Sequence, residues 1–138
     1  MPNQSMLLDR RRRGATLVEF AFVVPILFLL VFGLMEFSRM AMVYHVITNA
    51  AREGSRRGIV PGATASDVTT AVNDALAAGQ VSGAVVVVTP SDLSTLNAGD
   101  PVTVSVTVNY STVGWLPVPK FLGSKILDTE SVMLREGK

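Results

Sequence analysis

Residues Arg10 to Met35 read RRRRGATLVEFAFVVPILFLLVFGLM. Four arginines, Arg10 to Arg13, lead into a single glycine, Gly14. From Ala15 the chain is apolar for about 21 residues, with one charge, Glu19. A helix rises about 1.5 Å per residue, so roughly 21 residues reach about 30 Å, the thickness of a bilayer's hydrocarbon core. The stretch predicts a membrane-spanning helix with the rest of the chain carried on it.

The flanks set an orientation. The segment from Met1 to Arg13 is short, polar and basic, and basic residues beside an apolar span favour the cytoplasmic side. Beyond the span, Arg39, Arg52, Arg56 and Arg57 are spread out and accompanied by Glu36 and Glu53. The N-terminus is therefore expected inside and the remainder outside the cytoplasm. The 138 residues suit an anchor plus one modest domain. The net charge of +1 points to no particular partner. With no cysteine and one histidine, the chain offers no thiolate metal site, disulfide framework or histidine metal cluster.

Three readings of the apolar run remain open. A secretory signal peptide has an apolar region of about 7–15 residues and a nearby small-x-small cut site. Here the run is longer, and the nearest such site downstream, Ala63-Thr64-Ala65, lies far past it. The second reading is an uncleaved anchor. The third is a cut between Gly14 and Ala15 that leaves a new N-terminus on the apolar helix. Glu19 favours the third. A carboxylate inside a spanning helix costs on the order of 2.5–3.5 kcal/mol on insertion scales, less near the end of the span, and calls for a partner. After such a cut Glu19 would be the fifth residue. The new α-amine would sit about one helical turn away, on this chain or its neighbour, and pairing would neutralise both charges.

These residues carry a resemblance. Basic residues before Gly14, Glu19 five places later and the unbroken apolar run resemble a class III, type IV prepilin signal. The longer stretch resembles TadE-like proteins of the Tad, or Flp-type, pilus system. The matching positions are Arg13-Gly14, Val18-Glu19-Phe20-Ala21, Pro25, Phe32-Gly33, Glu36-Phe37, Tyr44, Asn49 to Gly54 and Arg56. Phe20 stands where major Flp pilins usually carry tyrosine, and the chain is longer than those pilins. The resemblance therefore implies a minor pilin or pseudopilin of a Tad pilus, acting in pilus assembly and surface adhesion. It implies a bacterial inner-membrane location, with incorporation into the pilus as a further expectation. The implied partners are an aspartic prepilin peptidase, other pilins or pseudopilins through the N-terminal helix, and the lipid bilayer. The alternative is an uncleaved single-pass envelope protein with an extracytoplasmic interaction domain.

Past the membrane run, Phe37, Met40, Ala41, Tyr44, Ile47, Ala51, Gly54 and Gly58 follow i, i+3/i+4 steps. They predict one continuous helix from about Ala15 to Arg57, apolar all round in its first half and amphipathic in its second. Tyr44, Ile47, Ala51, Gly54 and Gly58 form the expected packing face, whose small end would let a sheet approach closely. Pro25 removes a backbone hydrogen bond and is expected to bend the helix or unwind it locally. Glu53 can reach Arg56 and Arg57, and His45 lies on the polar side.

Gly58 ends this helix and Pro61-Gly62 signals a turn. A short helix is expected near Asp67 to Ala78, with Ser66 or Thr64 as N-cap and Gly79 as its stop. Ala84 to Thr89, AVVVVT, predicts a strand covered on both faces. Pro90 to Asp100 reads as loop, with a turn at Asn97 to Asp100. Pro101 to Ser111 alternates Val102, Val104, Val106, Val108 and Tyr110 with polar residues, a strand with one face on a core. Thr112 to Ser124 is apolar but broken by Pro117 and Pro119; it either folds over the sheet or contacts membrane or a partner. Lys125 to Arg135 predicts a last strand with imperfect alternation.

The expected fold is α+β and pilin-like: a long helix packed on a small, three-stranded antiparallel sheet with one short helix. The expected segments are a basic leader (1–14), a membrane helix (15–35), its amphipathic continuation (36–58) and an extracytoplasmic domain (59–138). Phosphate-binding loops, nucleophile elbows and metal-ligand spacings are all missing, so neither an enzyme nor a cofactor is expected. No aromatic platform accompanies the arginines, so nucleic acid is not an expected partner.

Overall fold

The computed structural model describes residues 4–113 and 125–137, with backbone alone over 4–13 and at 15. Helix α1 spans Gln4–Gly58, α2 Ala65–Ala78, β1 Ala84–Thr89, β2 Pro101–Asn109 and β3 Ile126–Leu134. Two compact units divide the chain, residues 1–37 and 38–138.

The first unit contains the N-terminal part of α1. Helical backbone begins at Gln4, about three turns before the Ala15 expected from the sequence. A lone glycine such as Gly14 costs a helix interior only about 1 kcal/mol relative to alanine, too little to end it. The backbone remains helical through Pro25. The apolar side chains of this stretch, Leu17 to Met35, are exposed almost throughout. Phe28 and Phe32, one turn apart, stack with centroids 6.0 Å apart.

The second unit has two layers. The remainder of α1 and all of α2 cover one face of an antiparallel sheet ordered β1-β2-β3. The core comes from both: Val43, Ile47, Ala50 and Ala51 of α1, Val68, Val72 and Leu76 of α2, and Val102, Val104, Val106 and Val108 of β2. The strict alternation in β2 places all four valines inward. Tyr110 continues that buried face in a short 3-10 turn, Tyr110–Thr112, rather than in the strand.

β1 differs from its expected setting. The helices cover one face of the sheet, so Val85 is 62% and Val87 52% exposed on the other. A run of β-branched residues does not by itself distinguish a strand covered twice from one covered once. The irregular pattern of β3 also has a cause. Thr129 and Ser131 face the helices and meet hydroxyls there: Thr48 Oγ1 lies 3.5 Å from Thr129 Oγ1, and the Ser55 hydroxyl lies 2.9 Å from the Ser131 carbonyl oxygen. The Glu136 N–H donates to the Ile59 carbonyl at 3.2 Å. These contacts come in the same order along both segments, so α1 and β3 run in the same direction.

Helix α2 starts at Ala65, capped by Thr64 rather than Ser66. Asp67 at the third helical position completes the box: its N–H donates to Thr64 Oγ1 at 3.2 Å, and its carboxylate accepts from the Thr64 N–H at 2.9 Å. Gly79 follows the helix. The expected loop 90–100 contains a 3-10 turn, Leu93–Thr95, whose Leu93 is buried. At Asn97 to Asp100 the Asp100 N–H donates to the Asn97 carbonyl, with Gly99 at φ +89 supplying the left-handed step. The apolar residues Trp115 to Leu122 lie outside the described residues.

Candidate functional site

The residues singled out from sequence fall in two places on α1. Gly14, Glu19 and Pro25 lie in the first unit, on helical backbone. Gly14 and Glu19 are exposed, and a Cβ added at Gly14 would meet nothing within 4 Å. The backbone of Ala15 is helical. Glu19 thus stands among exposed Leu17, Val18, Phe20 and Phe22, a carboxylate on a helix whose surroundings are apolar. One helix among the described residues is long and apolar enough to cross a membrane, and it contains this stretch.

Ile47, Ala51, Gly54 and Gly58 lie in the second unit and are buried. The approach there is close. A Cβ on Gly54 would stand 2.4 Å from Val72 Cγ2, and one on Gly58 would stand 2.9 Å from Val102 Cγ1. Tyr44 is 47% exposed. It lies one turn before Thr48, whose hydroxyl donates to the Tyr44 carbonyl at 2.8 Å, and is not part of the buried face. Val43, Ala50 and Ser55 complete the buried face instead.

Several residues do more than their place in the sequence suggested. Ser55 is fully buried, and its hydroxyl lies between the Ala51 and Ser131 carbonyls. In sequence it reads only as a small residue. Gly79 reads as a helix stop, yet a Cβ there would come within 2.4 Å of Val46 Cγ1. Arg39 donates through Nε to the Val113 carbonyl at 3.3 Å, tying α1 to the end of the Tyr110–Thr112 turn. Glu36 reads as a flanking charge but is only 5% exposed. His45 is exposed, and Glu53 pairs with Arg56 at 3.1 Å on the solvent side.

Two carboxylates have perturbed acidity, both at turns. The Thr64 N–H, and then the Thr64 hydroxyl, hold Asp67 below the usual carboxylate range. The Ser94 hydroxyl, and then its N–H, do the same for Asp92, which caps the Leu93–Thr95 turn. Both are caps, and neither faces a reactive partner. Among the described residues no cluster of three or more His, Cys, Asp or Glu could hold a metal. A shallow cleft lined by Pro61, Gly62, Ser94, Asn97, Arg135 and Glu136 lies near the start of α2. Its Arg135 already donates to the Leu93 carbonyl.

Residues 14–56 match the family model of TadE-like proteins. The TadE-like segment therefore begins at Gly14, includes Glu19 and Pro25, and ends in the last turn of α1. It contains the exposed apolar stretch and most of the packing face; α2 and the sheet lie beyond it. The likeness to TadE-like proteins is thus carried by this segment, less than half of the chain. No curated protein and no solved structure matches the chain.

Proposed function

We propose that this chain is a minor pilin or pseudopilin of a Tad pilus, held in the bacterial inner membrane by the apolar part of α1 and acting in pilus assembly and adhesion. The observation that carries this reading is the TadE-like match opening at Gly14, directly before an exposed apolar helix containing Glu19. A prepilin peptidase cuts between Gly14 and Ala15 on the cytoplasmic side. The residues up to Gly14 are then a leader, 15–35 the span, 36–58 its continuation, and 59–138 the extracytoplasmic part.

After the cut, the α-amine of Ala15 lies about one helical turn from Glu19, within the same helix or across to a neighbouring subunit. In hydrocarbon, pairing these charges removes the cost that each carries alone. That need sets the stagger between adjacent helices, and Pro25 gives the helix its local compliance.

Intact-mass spectrometry of the native protein extracted from membranes tests the reading. A mature chain starting at Ala15 supports it. Retention of the leader in chains assembled into filaments would falsify it and leave a single-pass envelope protein with an outer interaction domain. Gly14→Leu is expected to block processing. Glu19→Ala is expected to leave membrane insertion intact and reduce the yield of assembled pili; unchanged assembly would remove the role assigned to Glu19.

A further inference from the structure

Opposite sides of the second unit carry opposite charge. On the outer face of the sheet, away from the helices, the strands hold two ionised side chains, Asp128 and Glu130 of β3, both exposed. Their cross-strand neighbours, Thr107 and Ser105, are neutral. On the far side of the helical layer, α1 presents Arg52 and Arg56, also exposed. At about 3.6 residues per turn these two point away from buried Ile47, Ala51 and Gly54. Arg57 is turned elsewhere, toward the start of α2, where its charge acts on Asp67. Among the described residues, Asp128, Glu130 and Arg52 have no ion-pair partner, and Arg56 has the exposed Glu53. Such an exposed pair is weak and readily exchanged.

We propose that the second unit of one copy of this chain stacks on that of the next, setting Arg52 and Arg56 of one against Asp128 and Glu130 of the other. The spacings agree. Residues two apart on a strand face are separated by about 7 Å, and residues four apart on a helix by about 5–6 Å between Cβ atoms. The long arginine side chains take up the difference. The directions agree as well. Within the chain α1 and β3 run the same way, so in two copies oriented alike the helix of one lies parallel to the strand of the other. Arg52 then meets Asp128, and Arg56 meets Glu130. The aliphatic stem of Arg56 comes beside exposed Val132, which the contact withdraws from water.

Charge also decides how the copies meet. Two sheet faces set together would oppose carboxylate to carboxylate, and two helix ridges guanidinium to guanidinium. Only the unlike faces attract. Each copy owns one of each, so the contact is heterologous and repeats from copy to copy. Thr48 lies level with Thr129, and Ser55 with Ser131, within one chain. Bringing Arg52 level with Asp128 of a neighbour therefore displaces the neighbour by roughly 5–9 Å along α1. Copies held in one membrane share an orientation and a high effective concentration, which favours such a modest interface; that part rests on the membrane-anchored reading above.

The chain has no cysteine, so introduced thiols report contacts cleanly. Full-length chains carrying Asn49→Cys, one turn before Arg52, are co-expressed with chains carrying Ile126→Cys, two residues before Asp128, and their membranes are treated with a short bis-maleimide. A mixed dimer is expected, and neither chain expressed alone should cross-link. Asp128→Lys with Glu130→Lys in the Ile126→Cys chain should abolish the mixed dimer. Arg52→Glu with Arg56→Glu in the Asn49→Cys chain should do the same. Combining the two reversed chains should restore it. Failure to restore, when each reversed chain melts as its parent does, overturns the proposal. So does a mixed dimer no stronger than the product of either chain alone. Loss on reversing the arginines but not the carboxylates also overturns it, and assigns the ridge to anionic lipid. Intact mass is read on the same membranes. No mixed dimer among chains that begin at Ala15 overturns the stacking and leaves the pilin reading standing. A restored dimer among chains that keep their leader supports the stacking and counts against that reading.

Discussion

Gly54 shows how one residue sets the spacing of the second unit. Alanine in place of glycine ordinarily stabilises a helix interior by about 1 kcal/mol. At Gly54 the new methyl would sit 2.4 Å from Val72 Cγ2, on a stiff β-branched side chain that is itself fully buried. Overpacking of this kind costs about 1–3 kcal/mol. Gly54→Ala is therefore expected to lower stability, read as an earlier urea midpoint for the detergent-solubilised chain. Gly33 has open space around it, so Gly33→Ala should not lower that midpoint. Ser55→Ala removes the hydroxyl that meets the Ser131 carbonyl within the packed layer and should cost about 1 kcal/mol, read in the same titration. The small character of this stripe was legible in sequence because Ala51, Gly54 and Gly58 recur at helical spacing. The partner of Ser55 was not, because it depends on which β3 residues face inward, and the alternation there is masked by Thr129 and Ser131.

Among the elements, α2 is one whose stability responds to acid. Asp67 accepts from Thr64 in the folded chain, which lowers its pKa below that of the unfolded chain. A depressed carboxylate contributes stability above the unfolded value and loses it as pH falls through the folded one. The loss therefore begins below about pH 4. Asp67→Asn should flatten the fall in melting temperature across that acid range, and little should change near neutrality beyond a constant offset. Melts followed by circular dichroism at several pH values check this. The positions of α2 and β2 could be read from periodicity, since valine alternation in β2 and the apolar steps of α2 are strong local signals, and β1 from its β-branched run. The cap could not be fixed between Ser66 and Thr64. That choice depends on the reciprocal bond from Asp67, a pairing between two residues rather than the preference of one. The exposed face of β1 was likewise hidden, because the number of layers is decided by elements distant in sequence.

In the molecule as a whole, the buried core lies entirely within the second unit, from Met40 onward. A fragment beginning at Ser38 is therefore expected to fold without the apolar helix, giving coincident near- and far-ultraviolet circular dichroism transitions on heating; separate transitions would count against this. The α+β architecture was legible because each layer has its own periodicity, but the division at residue 37 was not, since the helix continues through it without a break in pattern. That continuity has a mechanical consequence. Contacts from Thr48 to Ile59 meet Thr129 to Glu136 in the same order, over about 16 Å of helix. A force drawing α1 along its own axis loads these contacts in shear, so they share the tension instead of opening one after another. Pulled from its N-terminal end, the domain should resist extraction as a block and yield in a single step, which a force-extension trace would record as one sharp rupture.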